Sequence, residues 1–448
     1  MNEKFSRIGF ILAVAGSAVG LGNAWKFPTL VGQNGGSAFV CLYLLLTLCV
    51  GFVIFLAELS IGKLSGKDPV NAYKALGGEK SSWKFVGFSM LGAILIVSFY
   101  SIIIGWTVYY VYLSFFSLPS DIQSSKIVFD NLLTNSLFSQ FISFSIVFVC
   151  IFIVVSRGVK NGIEKLNVWM MPALFIILVL MLIYSFTMNG FMDAFKFLFL
   201  PDFSKLGVSA VLQALGLAFF SLSIGAGSVI TYSASLNDNT NFISSTLYII
   251  FINILIGLMM GLVVFTFIFE FNANVSQGPG LIFISLTTLF AKLGIIGNIL
   301  AIMFFIALFF AGLTSAVSMV EPFAFYLINT YKMQRKNALI LIGFIVYLLS
   351  SMCILSYYTV TSDKFSFFDM SFFDILDYLA SNIIMPLGGF FAAIFVGYVI
   401  KRDIIKKFFG KYLKDVYFEI WYFFLKFVSP FAVIVIMAYE LFFKKMIG

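Results

Sequence analysis

The sequence predicts an all-helical, polytopic membrane protein with about 11 transmembrane helices, and three observations lead there. Of 448 residues, 61% are hydrophobic, 19% aromatic and only 11% charged, too little polar surface to clothe a water-soluble globule. Apolar runs long enough to cross a hydrocarbon core, which takes about 20 residues, recur along the whole chain. The short connections between them carry lysines, and these crowd onto alternate connections.

In chain order the first span, 7–33, follows Lys4 and Arg7, and the second, 38–62, follows Asn34-Gly35-Gly36 and runs into Lys63. The third, 85–116, begins after Lys80 and Lys84; the fourth, 139–157, ends on Arg157; the fifth, 162–188, opens beyond Lys160. The sixth, 207–237, follows Lys205, and the seventh is 242–271. The eighth, 293–330, lies between Lys292 and Lys332, and the ninth, 337–358, follows Arg335 and Lys336. The tenth, 371–400, stops at Lys401, and the eleventh is 415–442. Lys4 and Arg7 before Ala13-Val14-Ala15 superficially match a secretory leader with its cleavage site. Every later run is equally hydrophobic, so the stretch reads as a retained first helix.

With the N-terminus inside, about 19 basic residues fall on the cytoplasmic side and about 7 outside, as the positive-inside rule requires. The net charge of +8 therefore reports topology, and no basic groove or soluble domain points to nucleic acid. Cys41, Cys49, Cys150 and Cys353 lie in apolar stretches without metal-ligand spacing, and histidine is absent. No nucleophile sits beside a base, so nothing indicates an enzyme. Gly62-Lys63-Leu64-Ser65-Gly66-Lys67-Asp68 is one residue short for a phosphate loop and carries Asp68 where Ser or Thr would bind magnesium. Gly20-Leu21-Gly22-Asn23 begins like a dinucleotide fingerprint but lies within a membrane span.

Two spans are interrupted. The first reads Gly16-Ser17-Ala18-Val19-Gly20-Leu21-Gly22-Asn23, with glycines and an amide where a helix in hydrocarbon tolerates neither well. Alone, this would equally suit a Gly16-xxx-Gly20 packing face. The sixth carries Ser221-Leu222-Ser223-Ile224-Gly225-Ala226-Gly227-Ser228, a second such break. The two open successive blocks of five spans, where inverted repeats place corresponding broken helices. Such breaks line cavities; amides at one half-helix end attract a carboxylate, and carbonyls at another hold sodium or an ammonium group. The pattern points to sodium- or proton-coupled transport of a zwitterion.

Gly16 to Pro28, Asn34-Gly35-Gly36 with Ala38-Phe39, Glu58 before Gly62-Lys63, Tyr100 with Trp106, Phe219 to Tyr232 and Phe310-Ala311-Gly312-Leu313-Thr314-Ser315 follow one another through the first eight spans. In these residues the chain resembles the neurotransmitter:sodium symporters, whose structures define the leucine-transporter fold. The resemblance covers the whole chain, and eleven helices rather than twelve resemble a bacterial branch of that family. It implies a single transporter domain, 1–448, with five-helix inverted repeats at 7–188 and 207–400, then the eleventh helix and tail at 401–448. It also implies the cell inner membrane, with the lipid bilayer and a small amino acid as partners.

The resemblance implies two sodium ions. One would lie among the Ala18 carbonyl, Asn23, Ser221, Asn253 and the substrate carboxylate. The other would use the carbonyls of Gly16, Val19 and Ala311 and the hydroxyls of Thr314 and Ser315. The substrate carboxylate would meet the Leu21 and Gly22 amides and the Tyr100 hydroxyl. Its ammonium would meet carbonyls near Ala18 and in the Phe219-Phe220-Ser221 stretch, beside Ser223. Ile96, Tyr100, Phe220, Ala226, Ser315 and Met319 would form an uncharged wall, which fits a neutral, bulky hydrophobic or aromatic amino acid. In the leucine-carrying relative a phenylalanine fills the position of Ala226, so the smaller residue leaves room.

Glu58 is an acid inside a span, where a charge is costly enough to point to function, and the resemblance implies that it braces the broken sixth helix. Lys26 resembles the outer-gate cation, usually arginine, with Asp377 or, one turn earlier, Asp374 opposite. Lys4, Phe5, Ser235 and Asn329 depart from the family's inner latch, which must be built differently here. Leu217 and Gly257 replace residues concerned with chloride although Tyr43, Ser221 and Asn253 persist, so chloride dependence stays open. A sensor or receptor on the same fold, without turnover, is the alternative that the altered latch favours; a channel lacks a ring of like residues or any sign of oligomer formation.

Overall fold

The computed structural model describes residues 4–78, 81–237, 240–273 and 280–438. The predicted end of the eleventh span, the tail after it, and Lys80, Lys444 and Lys445 of the charge pattern lie outside the described residues. Among the described residues, nine predicted spans are single helical stretches long and apolar enough to cross a membrane, from Ser37–Ser65 to Asp415–Ala438.

The other two are broken, for reasons visible in their residues. The first span is two helices, Arg7–Ala18 and Gly22–Gln33, bent by 52°. Ser6 caps the first half by accepting the Gly9 N–H at 2.9 Å. The half ends at Ala18, where Val19 turns extended (φ −77, ψ 92) ahead of the helix-weakening Gly20 and Gly22. The sixth span, predicted as one stretch, resolves into Val208–Ser221 and Ser228–Ala234. Between them Ser223, Gly225 and Gly227 take positive φ angles of 53, 84 and 75°. At Gly225 a Cβ would lie 1.9 Å from the Met385 carbonyl oxygen of the tenth span, so only glycine admits that contact.

The connections hold more structure than the hydropathy pattern shows. Pro69–Gly77, Ile122–Thr134, Phe191–Phe199 and Arg402–Gly410 are α-helices too short or too polar to span. One further helical stretch is Leu281–Ala291. A two-residue antiparallel pairing, Ser366–Phe367 with Met370–Ser371, precedes the tenth span. Aromatic rings seat the connecting helices: Phe129 stacks on Phe283 at 5.3 Å and meets Trp106 edge-on at 5.6 Å, and Trp106 stacks on Phe373 at 6.1 Å. That cluster ties two connections to the third and tenth spans beside the broken centre.

Candidate functional site

The two breaks face each other at the centre of the molecule. The last carbonyls of a helix have no amide from a following turn, so they must find other partners. The Ser17 carbonyl receives two: Ser223 Oγ from the sixth span donates to it at 2.8 Å and Ser315 Oγ from the eighth at 3.0 Å. Ser17 Oγ and Ser318 Oγ lie 2.7 Å apart. Across the break, the Leu21 N–H donates to the Tyr100 hydroxyl at 2.6 Å. Three spans thus converge on one unwound turn, and an amide and a phenol are paired there.

Asn23 Nδ2 donates to the Asn253 carbonyl at 2.8 Å and to Asn253 Oδ1 at 2.7 Å, while Asn253 Nδ2 donates to Ser221 Oγ at 3.4 Å. Tyr43 and Ser221 hydroxyls lie 3.1 Å apart. Asn23 Oδ1 is buried without a hydrogen-bond partner. A neutral amide oxygen left buried and bare fits a small hard cation. At the other proposed ion position Thr314 Oγ1 donates back to Phe310 and Ala311 carbonyls of its own helix, at 2.9 and 3.1 Å, and Ser315 donates across to Ser17 instead. All five oxygen-bearing residues expected there, Gly16, Val19, Ala311, Thr314 and Ser315, are buried. Neutral oxygens are what that donor set offers, which again fits sodium.

Ile96, Tyr100, Ala226, Ser315 and Met319 are all buried, with Ala226 at the sixth-span break. Phe219 and Phe220 both line a cavity of about 240 Å³, with Lys26, Gln213 and Met385. The Phe220 carbonyl accepts the Ser223 N–H at 3.1 Å, and the Phe219 carbonyl the Ile224 N–H at 3.1 Å. Glu58 Oε1 accepts the Gly225 N–H at 2.8 Å, tying the second span to the sixth-span break.

The profile of the sodium:neurotransmitter symporter family matches residues 2–135 and 133–446. This chain belongs to the sodium:neurotransmitter symporter family. It is 35% identical over 437 residues to an uncharacterized sodium-dependent transporter, YhdH of Bacillus subtilis (strain 168), covering 96% of each chain. It is 28% identical over 301 residues to the sodium-dependent neutral amino acid transporter B(0)AT2 of Bos taurus, covering 60% of this chain and 41% of that one. The crystal structure of MhsT in complex with L-phenylalanine superposes with a TM-score of 0.88 at 32% identity, covering 97% of this chain and 99% of that one. The symporter therefore has the leucine-transporter fold, and it is a sodium-dependent transporter and not an enzyme.

In this symporter Lys26 Nζ lies 3.8 Å from Asp377 Oδ1 and 3.8 Å from the Phe220 ring centroid. Asp374 instead accepts a hydrogen bond from Ser371 Oγ at 2.6 Å, because it occupies the first turn of its helix beside that cap. Beneath the ion pair, a cavity of about 30 Å³ touches Leu21, Gly22, Tyr100 and Phe220, little more than one water's space. Exchanging the charges, Lys26→Asp with Asp377→Lys, should restore more uptake than either single reversal allows. Equal failure of the pair, with recovery when Asp374 is exchanged instead, would move the gate one turn.

At the residues expected to form the latch, main-chain groups make the contacts. The Phe5 N–H donates to the Ser235 carbonyl at 3.1 Å, Asn237 Nδ2 donates to the Phe5 carbonyl at 3.3 Å, and the Phe5 ring meets Tyr232 edge-on at 5.4 Å. Asn329 Nδ2 reaches Asp68 Oδ2 at 3.3 Å, so the acid sits on the connection after the second span. Sequence reasoning missed a part-buried ion pair nearby: Arg335 Nη1 and Nη2 donate to Glu321 Oε1 and Oε2 at 3.0 and 2.5 Å. Glu321 is an acid inside the eighth span, and the rule applied to Glu58 would have singled it out.

Proposed function

We propose that this protein is a symporter that moves a neutral amino acid with a bulky hydrophobic or aromatic side chain together with sodium, by alternating access. The observation that carries the reading is the paired Leu21 amide and Tyr100 hydroxyl at the unwound turn, 2.6 Å apart, beside the bare Asn23 Oδ1. A substrate carboxylate inserted between amide and phenol would be held by both and would face a cation at Asn23. The Ser17, Ala18 and Phe220 region would take the ammonium, and Ile96, Ala226, Ser315 and Met319 the side chain. None of those residues carries a charge, so an unpaired ion on the substrate would be heavily penalised. MhsT was solved with L-phenylalanine, which supports the same class of side chain.

Two sodium positions are proposed, at Ala18, Asn23, Ser221 and Asn253 and at Gly16, Val19, Ala311, Thr314 and Ser315. The five-helix blocks 7–188 and 207–400 are read as inverted repeats, since their first members are the two broken spans. The lysine distribution supports a cytoplasmic N-terminus, in the cell inner membrane.

Proteoliposomes test the substrate. Labelled phenylalanine, tyrosine, tryptophan or leucine should accumulate only under an inward sodium gradient, with glutamate and lysine failing to compete. Ala226→Phe should weaken uptake of the aromatic substrates about tenfold or more and spare smaller aliphatic ones, because a filled pocket rejects by volume. If glycine or alanine competes best and Ala226→Phe leaves the ranking unchanged, the pocket reading fails. Binding without accumulation would favour a sensor.

A further inference from the structure

Asn167 stands in the fifth span, fully buried, and its side-chain oxygen has no hydrogen-bond partner. Its Nδ2 donates to the Ile163 carbonyl one turn back, at 2.8 Å. That bond fixes the amide, because only the nitrogen side can donate to a carbonyl, and so Oδ1 points the other way. It points at the broken first span: Oδ1 lies 1.9 Å from where a Cβ on Gly16 would be, and the Thr314 Cβ is 3.1 Å from the same point. The oxygen therefore rests directly against the Gly16 backbone, in the angle between the first and eighth spans. Any side chain at position 16 would push it out.

A buried carbonyl oxygen without a donor costs about 1–3 kcal/mol unless something meets it. The protein donors nearby are committed elsewhere, with Thr314 Oγ1 on Phe310 and Ala311 and Ser315 Oγ on Ser17. The oxygen faces the Gly16 backbone and the Thr314 side chain, two residues read as sodium ligands, and a buried neutral oxygen left without a donor there suits a hard cation.

We propose that Asn167 Oδ1 is a further ligand of the second sodium site, supplied by the fifth span. This inference rests on the reading of Gly16, Val19, Ala311, Thr314 and Ser315 as that site. The fifth span, 162–188, opens beyond Lys160 and carries Lys165 two residues before Asn167, so this ligand stands at the lysine-bearing end of the span.

The test is a sodium titration of the purified full-length protein, at constant ionic strength with choline, read by thermal unfolding midpoint and by binding of radioactive sodium. Asn167→Ala and the near-isosteric Asn167→Leu should each raise the half-saturating sodium concentration about tenfold or more. Asn167→Asp keeps the oxygen and should titrate at or below the wild-type concentration. In a Thr314→Val, Ser315→Ala background, Asn167→Ala should add little, since the ion whose shell it completes is already lost. Recovery of wild-type titration by Asn167→Leu would show that the residue only fills space and would overturn the proposal, as would full additivity with the double variant. If the double variant itself titrates like wild type, the second-site reading has failed, whatever Asn167 does.

Discussion

Replacing Thr314 by valine and Ser315 by alanine is expected to abolish sodium-driven uptake. The pair keeps approximate shape but removes two oxygens at the eighth-span face of the break, and Ser315 Oγ also holds the Ser17 carbonyl at 3.0 Å. Losing a single ligand or supporting contact at a metal site costs about 10–100-fold in affinity, so losing two puts saturation beyond working sodium concentrations. Thr314 otherwise bonds only to its own helix, a contribution of about 1 kcal/mol, so the protein should still fold. Uptake in proteoliposomes, with size-exclusion behaviour and thermal midpoint in parallel, separates lost coupling from lost fold. Full uptake that still requires sodium would show that the ion is held elsewhere.

The second large effect is on stability. Arg335 joins three spans: its guanidinium takes both Glu321 oxygens and also donates through Nε and Nη2 to the Val155 carbonyl, at 2.9 and 2.7 Å. Glu321 is completely buried, and Arg335 is 22% exposed. Arg335→Met leaves the buried carboxylate without the guanidinium and should cost about 3–5 kcal/mol. The double variant Arg335→Met, Glu321→Met removes the charge as well and should recover most of that loss, while Arg335→Lys should fall between because an ammonium cannot fork across two oxygens. Thermal denaturation in detergent measures all three. An Arg335→Met protein with an unchanged midpoint would mean that the pair is idle in the folded state.

The membrane fold was legible in the residues themselves. Spanning a hydrocarbon core demands length and apolarity, and both are properties of a contiguous run, so the spans emerge without any knowledge of their packing. The breaks at Gly16–Gly22 and Ser221–Gly227 were equally local: glycine weakens a helix wherever it stands, and polar groups at mid-span require a reason. Short connecting helices such as Ile122–Thr134 and Leu281–Ala291 escaped because they are held by ring contacts from distant spans, Phe129 on Phe283 among them.

What only the tertiary structure decided is which polar group meets which. Asp374 and Asp377 lie one turn apart and are equivalent as a sequence pattern; the Ser371 cap takes one and leaves the other opposite Lys26. Phe5, Ser235 and Asn329 read as weak replacements for an ionic latch, whereas their main-chain bonds and the Asp68 carboxylate supply the contacts. Asn167 is unremarked in a hydropathy profile, and its meaning lies in an oxygen pressed against Gly16, 151 positions away in the chain. Hydrophobic length is summed along one helix, but a hydrogen bond or an ion ligand needs two atoms within a few ångströms, and helix packing alone sets that distance.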